Sequence, residues 1–266
     1  MRALACALLA LAACGENATP VGEPPSPFAA SCVPDLDGTL TAAELPIVLD
    51  QPLTFRVGED VAVDLAGRGS GADRQWDWSA DTAGDALRDQ LAVALDDQWY
   101  AGSFPGGRFV LAVDAATDAV YAADDRGLYL LGLASHDEAP PAGKTLLPYA
   151  APVAVLRLPV AAGDRWTETA TITGGTLRGL PYNGTDTYAI SADARGELHL
   201  PYVRFTDALR VRTTVTSTPA VGGASVVVRQ SQFFSECFGE IGRATSRPGE
   251  PADDFTTAAT LRRLAL

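Results

Sequence analysis

Residues 187–200 read Thr-Tyr-Ala-Ile-Ser-Ala-Asp-Ala-Arg-Gly-Glu-Leu-His-Leu. Tyr188, Ile190, Ala192 and Ala194 recur at every second position, with Thr187, Ser191 and Asp193 between them. That is the period of a strand with one buried face. Ala194-Arg195-Gly196-Glu197 reads as a turn, with Leu198 and Leu200 facing inward on the return and His199 facing solvent. Leu209, Val211 and Val215 then alternate with Arg210, Arg212, Thr214 and Thr216. Gly222-Gly223 marks another turn before residues 226–234, and residues 255–264 offer a last strand.

The same reading extends towards the N-terminus. Residues 108–114, 119–123 and 128–134 are short apolar runs separated by turns at 115–118 and 124–127, a meander. Helix signals are thin: Leu87, Leu91 and Leu95 fall four apart, but Gly84 and neighbouring aspartates weaken the pattern, and a strand fits equally. No repeat of solenoid or propeller period is visible. The expected fold is mainly β, a large bent antiparallel sheet or half-barrel with few helices.

The first residues have a different character. Met1-Arg2 is followed by an apolar run from Ala3 to Ala13, the charge-then-apolar order of a secretory leader, and too short for a membrane-spanning helix, which needs about 20 residues. The run ends Leu11-Ala-Ala-Cys14-Gly15, which resembles the lipobox of bacterial lipoproteins. The resemblance implies cleavage after residue 13 and lipid on Cys14, with Gly15 pointing to the outer membrane. The alternative is an ordinary secretory leader in which Cys14 is incidental. Residues 14–31, with Pro20, Pro24, Pro25 and Pro27, read as an extended tether, and residues 32–266 as a single mainly-β domain.

A net charge of −13 and a pI near 4.5 argue against nucleic acid and against electrostatic binding to anionic lipid. Lys144 is the sole lysine among the 20 Lys and Arg residues, a codon-bias signature. Asn183-Gly-Thr185 matches a glycosylation acceptor but carries little weight in a bacterial lipoprotein. Cys6 leaves with the leader and Cys14 takes lipid. Cys32 and Cys237 then remain, and in an oxidising compartment they are most simply a disulfide. Two buried free thiols are the alternative, since Phe234 and Phe238 beside Cys237 also read as core.

Four segments come in order: Leu158-Pro-Val-Ala-Ala-Gly-Asp-Arg-Trp166, Gly196-Glu-Leu-His-Leu-Pro201, Phe205-Thr-Asp-Ala-Leu-Arg-Val-Arg212 and Phe234-Ser-Glu-Cys-Phe-Gly-Glu-Ile-Gly242. Together they resemble a group of uncharacterised extracytoplasmic proteins and lipoproteins of Gram-negative bacteria. The resemblance spans roughly the last 110 residues. It implies an envelope location and brings no established chemistry.

Candidate sites are weak. Asp35-Leu-Asp37-Gly38, with Glu44, resembles the second part of an EF-hand loop, but Val33 occupies the first ligand position, so an Asp-Gly turn is expected instead. Ser135-His136-Asp137 are sequence neighbours, whereas triads assemble from separate segments. Arg210 with Arg212, and Arg262-Arg263, suggest either an anion patch or cross-strand ion pairs. Trp76 and Trp78 share a strand face, followed by Trp99, Tyr100 and Phe104; they read as β core, with an apolar-ligand cleft as the alternative.

The expectation is therefore a non-catalytic, membrane-anchored envelope lipoprotein without cofactor or metal, acting as an interaction or structural module. The alternative is a carrier or sensor of a lipid-like apolar ligand. A closed core filled by side chains favours the first, and a hollow lined by Trp and Leu favours the second.

Overall fold

The computed structural model describes residues 32–82 and 84–265. The leader at 1–13 and the tether at 14–31, with Cys14, lie outside the described residues. The chain forms the strands β1 (Thr39–Leu40), β2 (Pro52–Ala62), β3 (Arg74–Asp77), β4 (Ala86–Leu91), β5 (Val93–Ala94), β6 (Phe109–Ala112), β7 (Thr117–Asp124) and β8 (Gly127–Ser135). It continues through β9 (Leu146–Arg157), β10 (Val160–Ala161), β11 (Arg165–Leu177), β12 (Leu180–His199), β13 (Arg204–Pro219), β14 (Val226–Ser235), β15 (Gly239–Thr245) and β16 (Thr257–Leu264). Helical structure among the described residues is confined to 3-10 turns of 3 residues each.

The main sheet is ordered β4-β2-β16-β15-β14-β13-β12-β11-β9-β8-β7-β6-β5, with β3 attached to the end of β12. Its two outermost strands are halves of one stretch: β4 lies beside β2, the chain passes through Ala92, and β5 lies beside β6. The sheet thus curls past a half-barrel and is nearly closed. Leu87 and Leu91, the residues of the weak helical pattern, sit on β4 and are exposed, whereas Leu95 is buried beyond β5.

Register separates the two faces of the wall. One row reads Val57, Arg262, Arg243, Gln232, Val211 and Ala192, each residue opposite the next on adjacent strands. The neighbouring row reads Arg56, Arg263, Gly242, Phe233, Arg210 and Ala194, and points the other way. The first row lines the interior; the second is the outside, covered by the segment 63–82. Trp76 and Trp78 of that segment clasp Phe233 edge-on, with ring centroids 4.7 and 4.9 Å away. Gly242 makes room for them, since a Cβ there would stand 3.0 Å from the Trp78 ring. The outer arginines are buried under this cover, so each needs partners. Arg210 pairs with Asp193 and donates to the Leu65 carbonyl; Arg263 pairs with Asp85 and donates to the carbonyls of Trp78 and Ala80.

The turn expected at 194–197 is not made. β12 runs straight through it, because register shifts between Ala192 and Ala194 and between Gly196 and Leu198 absorb the extra residues as bulges. The first bulge also corrects the shared face. Tyr188, Ile190 and Ala192 point into the barrel, whereas Ala194 and Leu198 join the outer core with Trp76. Gly196 permits this, because the Arg74 carbonyl of β3 lies where its Cβ would be.

Residues 39–45 cap one end of the barrel. β1 pairs with β10, Leu40 is buried in the interior cluster, and Leu45 packs against it. Glu44 accepts from the Thr41 amide and hydroxyl, and the Cys237 amide donates to the Glu44 carbonyl at 2.8 Å. Cys32 and Cys237 are joined as a disulfide, with Cα atoms 5.6 Å apart, which fastens the cap to the β14–β15 turn. At the far side of the cap, a groove of about 420 Å³ opens between Leu45, Ile47 and the β7–β8 turn.

Candidate functional site

Buried side chains from the strands β8 to β13 meet in one packed cluster inside the barrel. This wall has 13 strands in sequence around it. The interior is chemically two-sided. On the walls from β8 to β13 it is aliphatic and aromatic, with Leu130, Val153, Trp166, Ile172, Ile190 and Val211 in one cluster. On the walls from β14 to β16 it is polar, with Gln232, Glu240, Arg243 and Arg262.

The polar side forms a network. Glu240 Oε2 accepts from Gln232 Nε2 at 2.9 Å and from both Nε and Nη2 of Arg243. Arg262 donates Nη2 to Gln90 Oε1, and its guanidinium lies 4.5 Å from the Phe55 ring centroid, a cation–π distance. Tyr121 of β7 feels the charges of Arg243, Glu240 and Arg262. Its strand is well removed from theirs in the sheet order, so the curl of the sheet is what brings them near one another.

Proton affinities follow from this enclosure. Burial pushes the Tyr121 phenol up. Burial alone would also raise Glu240, but Arg243 and Arg262 outweigh it and hold the carboxyl below its usual value. Arg243 is burdened by burial yet raised by Glu240. Burial pulls Arg262 down to about 10, so it remains charged at neutral pH. Further along, Tyr149 donates to buried Asp186 at 2.9 Å and meets the Tyr188 hydroxyl at 2.7 Å. Burial raises both phenols.

The polar side of the interior is less deeply buried than the outer row. Arg243 and Glu240 keep 22% and 15% of their side-chain surface open, against 2% and 1% for outer-row Arg210 and Arg263. Outward positions of β11 (Arg165, Thr167, Thr169 and Thr171) are exposed and polar, a surface suited to water and not to lipid tails.

The residues singled out in the sequence fall elsewhere. Trp76 and Trp78 are outer core, and no cleft is lined by them. Tyr100 and Phe104 pack over Val110 and Val120 on the outer face of β6 and β7, while Trp99 carries Lys144 at 4.0 Å from its ring centroid. Arg210 and Arg212 share Asp193 as cross-strand partners. Ser135 donates to the Asp137 carbonyl, and exposed His136 contacts buried Asp118, which also accepts from Tyr100. No nucleophile joins that group among the described residues. His199 meets Glu197 at 3.0 Å. Asp35 and Asp37 approach Glu236 and not Glu44, and Glu236 Oε2 already accepts the amides of Asp35 and Leu36. The Gly163-Asp164-Arg-Trp166 segment is structural: Asp164 accepts from the Ala161 amide, and Trp166 donates into the Ala154 carbonyl.

Tyr121, Gln232, Glu240 and Arg243 were not singled out. Their one sequence signal is a polar residue at an inward strand position, and the bulge between Phe233 and Phe234 disguises it. No protein-family model, curated protein or solved structure matches the chain.

Proposed function

We propose that this protein is a non-catalytic, membrane-anchored envelope lipoprotein that holds an amphipathic ligand inside its barrel, as a carrier or a sensor. The observation that carries the reading is the two-sided interior: an aliphatic cluster beside a charged wall that is less deeply buried. A purely apolar ligand would leave Glu240, Arg243 and Arg262 desolvated without compensation, so the ligand needs a polar end. The leader, the Leu11-Ala-Ala-Cys14 segment and the Cys32–Cys237 disulfide support an envelope location, and Gly15 supports the outer membrane.

An interaction module is the second reading, favoured by one observation. The rim opposite the cap carries exposed Val113, Leu177, Leu180 and Val221, with Leu180 and Val221 70% and 90% accessible. Such a rim suits docking to a partner that receives or donates the ligand.

The test is mass spectrometry of an organic extract of the purified protein. A stoichiometric amphiphile is expected. An empty extract, together with no uptake from added envelope lipids, would overturn the carrier reading.

A further inference from the structure

We infer that the tips of the β11–β12 and β13–β14 hairpins touch the surface of a lipid bilayer, with Leu177, Leu180, Val221 and Val226 dipping among its acyl chains and Arg178 left at the phosphates. This rests on the reading of the rim as a docking surface and deepens it by naming what the rim meets. The two tips stand side by side, because β12 pairs with β13 as far as Gly184 opposite Pro219, and the Ala220 amide donates to the Asn183 carbonyl at 2.9 Å. Every residue from Leu177 to Pro181 and from Ala220 to Val226 is exposed. The outward face of β11 is polar, so the wall stays in water and only the tips are suited to lipid.

Charge selects the partner. Residues 169–185 and 208–235 contain no aspartate or glutamate, although the chain has 33 of them and a net charge of −13. Within 173–185 and 217–228 the single charged residue is Arg178. Lys144 is close to it along the backbone, since its carbonyl accepts the Gly179 amide at 2.8 Å. Asp137 and Glu138 lie in the β8–β9 loop and Glu250 and Asp253 in the β15–β16 loop, on either side of the tips. A carboxylate is costly in hydrocarbon, so an acidic body meets a bilayer best through a part that has none. A basic protein partner would find no acid there to pair with. The four apolar side chains hold about as much hydrocarbon as one myristoyl chain, which alone gives marginal, reversible binding. The tips therefore orient a body that the proposed anchor holds. Residues 14–31, fully extended, span up to about 60 Å. That is enough to reach Cys32, which is bonded beyond the far end of β14, roughly 30 Å from Val226.

The experiment is sedimentation of residues 15–266 with sucrose-loaded phosphatidylcholine vesicles. All the described residues lie between 32 and 265, so the leader and Cys14 are left out with the fold entire, and binding reports the tips alone. The partition constant should be on the order of 10³ M⁻¹, below that of a single myristoyl chain. The double variant Leu180→Asp/Val221→Asp should lower it at least roughly tenfold. Its melting temperature should match the wild type, since both side chains face solvent. Val33→Asp, at an equally exposed position of the cap end, should leave binding as it is. No sedimentation of the unsubstituted chain at about 10 mM lipid overturns the inference, whatever the variants do. An equal loss for Val33→Asp and the tip variant also overturns it. Photocrosslinking from position 221 in intact cells decides the docking reading separately. A protein adduct without vesicle binding keeps that reading and gives the rim a protein partner; neither adduct nor vesicle binding removes both.

Discussion

Replacing Arg263 by methionine should destabilise the protein by about 3–5 kcal/mol, because it strands a buried carboxylate. Arg263 and Asp85 are 1% and 3% accessible, so neither can turn to water when its partner goes. The carbonyls of Trp78 and Ala80, at 2.9 and 2.6 Å, lose a donor as well. Each of these is worth roughly 1 kcal/mol if the covering segment relaxes to admit water. In a domain of this size, about 2–4 °C of melting temperature goes with each kcal/mol, so the expected fall is roughly 6–20 °C. The double variant Arg263→Met/Asp85→Leu removes the stranded charge and should recover more than half of the loss. Urea unfolding followed by tryptophan emission reports on the right region, since Trp76 and Trp78 lie in the same cluster. A loss below about 1 kcal/mol in the single variant, or a double variant no more stable than the single, would refute the assignment of this pair as the latch of the outer layer.

Three other outcomes are expected. Cys14→Ser should abolish lipid attachment and release the protein from membranes; undiminished membrane partition would disprove the anchor. Peptide mapping without reductant should recover Cys32 linked to Cys237, and reduction should lower stability by up to about 5 kcal/mol, the chain-entropy limit for so long a loop. Glu240 has a folded proton affinity below its unfolded value, near 4.5, so its contribution is complete above that pH and is lost as pH falls below it. Melting curves of wild type and Glu240→Gln should therefore converge between about pH 5 and pH 3, and a constant gap would show that Glu240 is not held by the arginines.

The strands of the C-terminal half were legible because one face of each is apolar. On β13, Leu209 and Val211 point to the interior and Arg210 and Arg212 to the outside, as their alternation indicates. The disulfide was legible by elimination among four cysteines. Bulges defeated the rest. At Asp193 a single extra residue exchanges the faces of β12, and Arg195-Gly196, which has the composition of a turn, is carried through as strand. Closure was illegible for another reason. The stretch from β4 to β5 has partners on β2 and β6, at opposite ends of the sheet order, and local pattern does not specify such pairings. The interior network suffers from both effects, because Glu240 and Arg243 follow a bulge and meet Tyr121 only once the barrel has curled.

The bond between Cys32 and Cys237 also sets a load path. Any tension transmitted along the residues before Cys32 reaches Cys237 directly, without passing through residues 33–236, which lie inside the covalent loop. Force therefore enters at the turn between β14 and β15, strands flanked on both sides by β13 and β16. The covalent route thus bypasses the cap at 39–45 and β2. Residues 33–236 are thereby held out of the covalent line between Cys32 and the strands that follow Cys237.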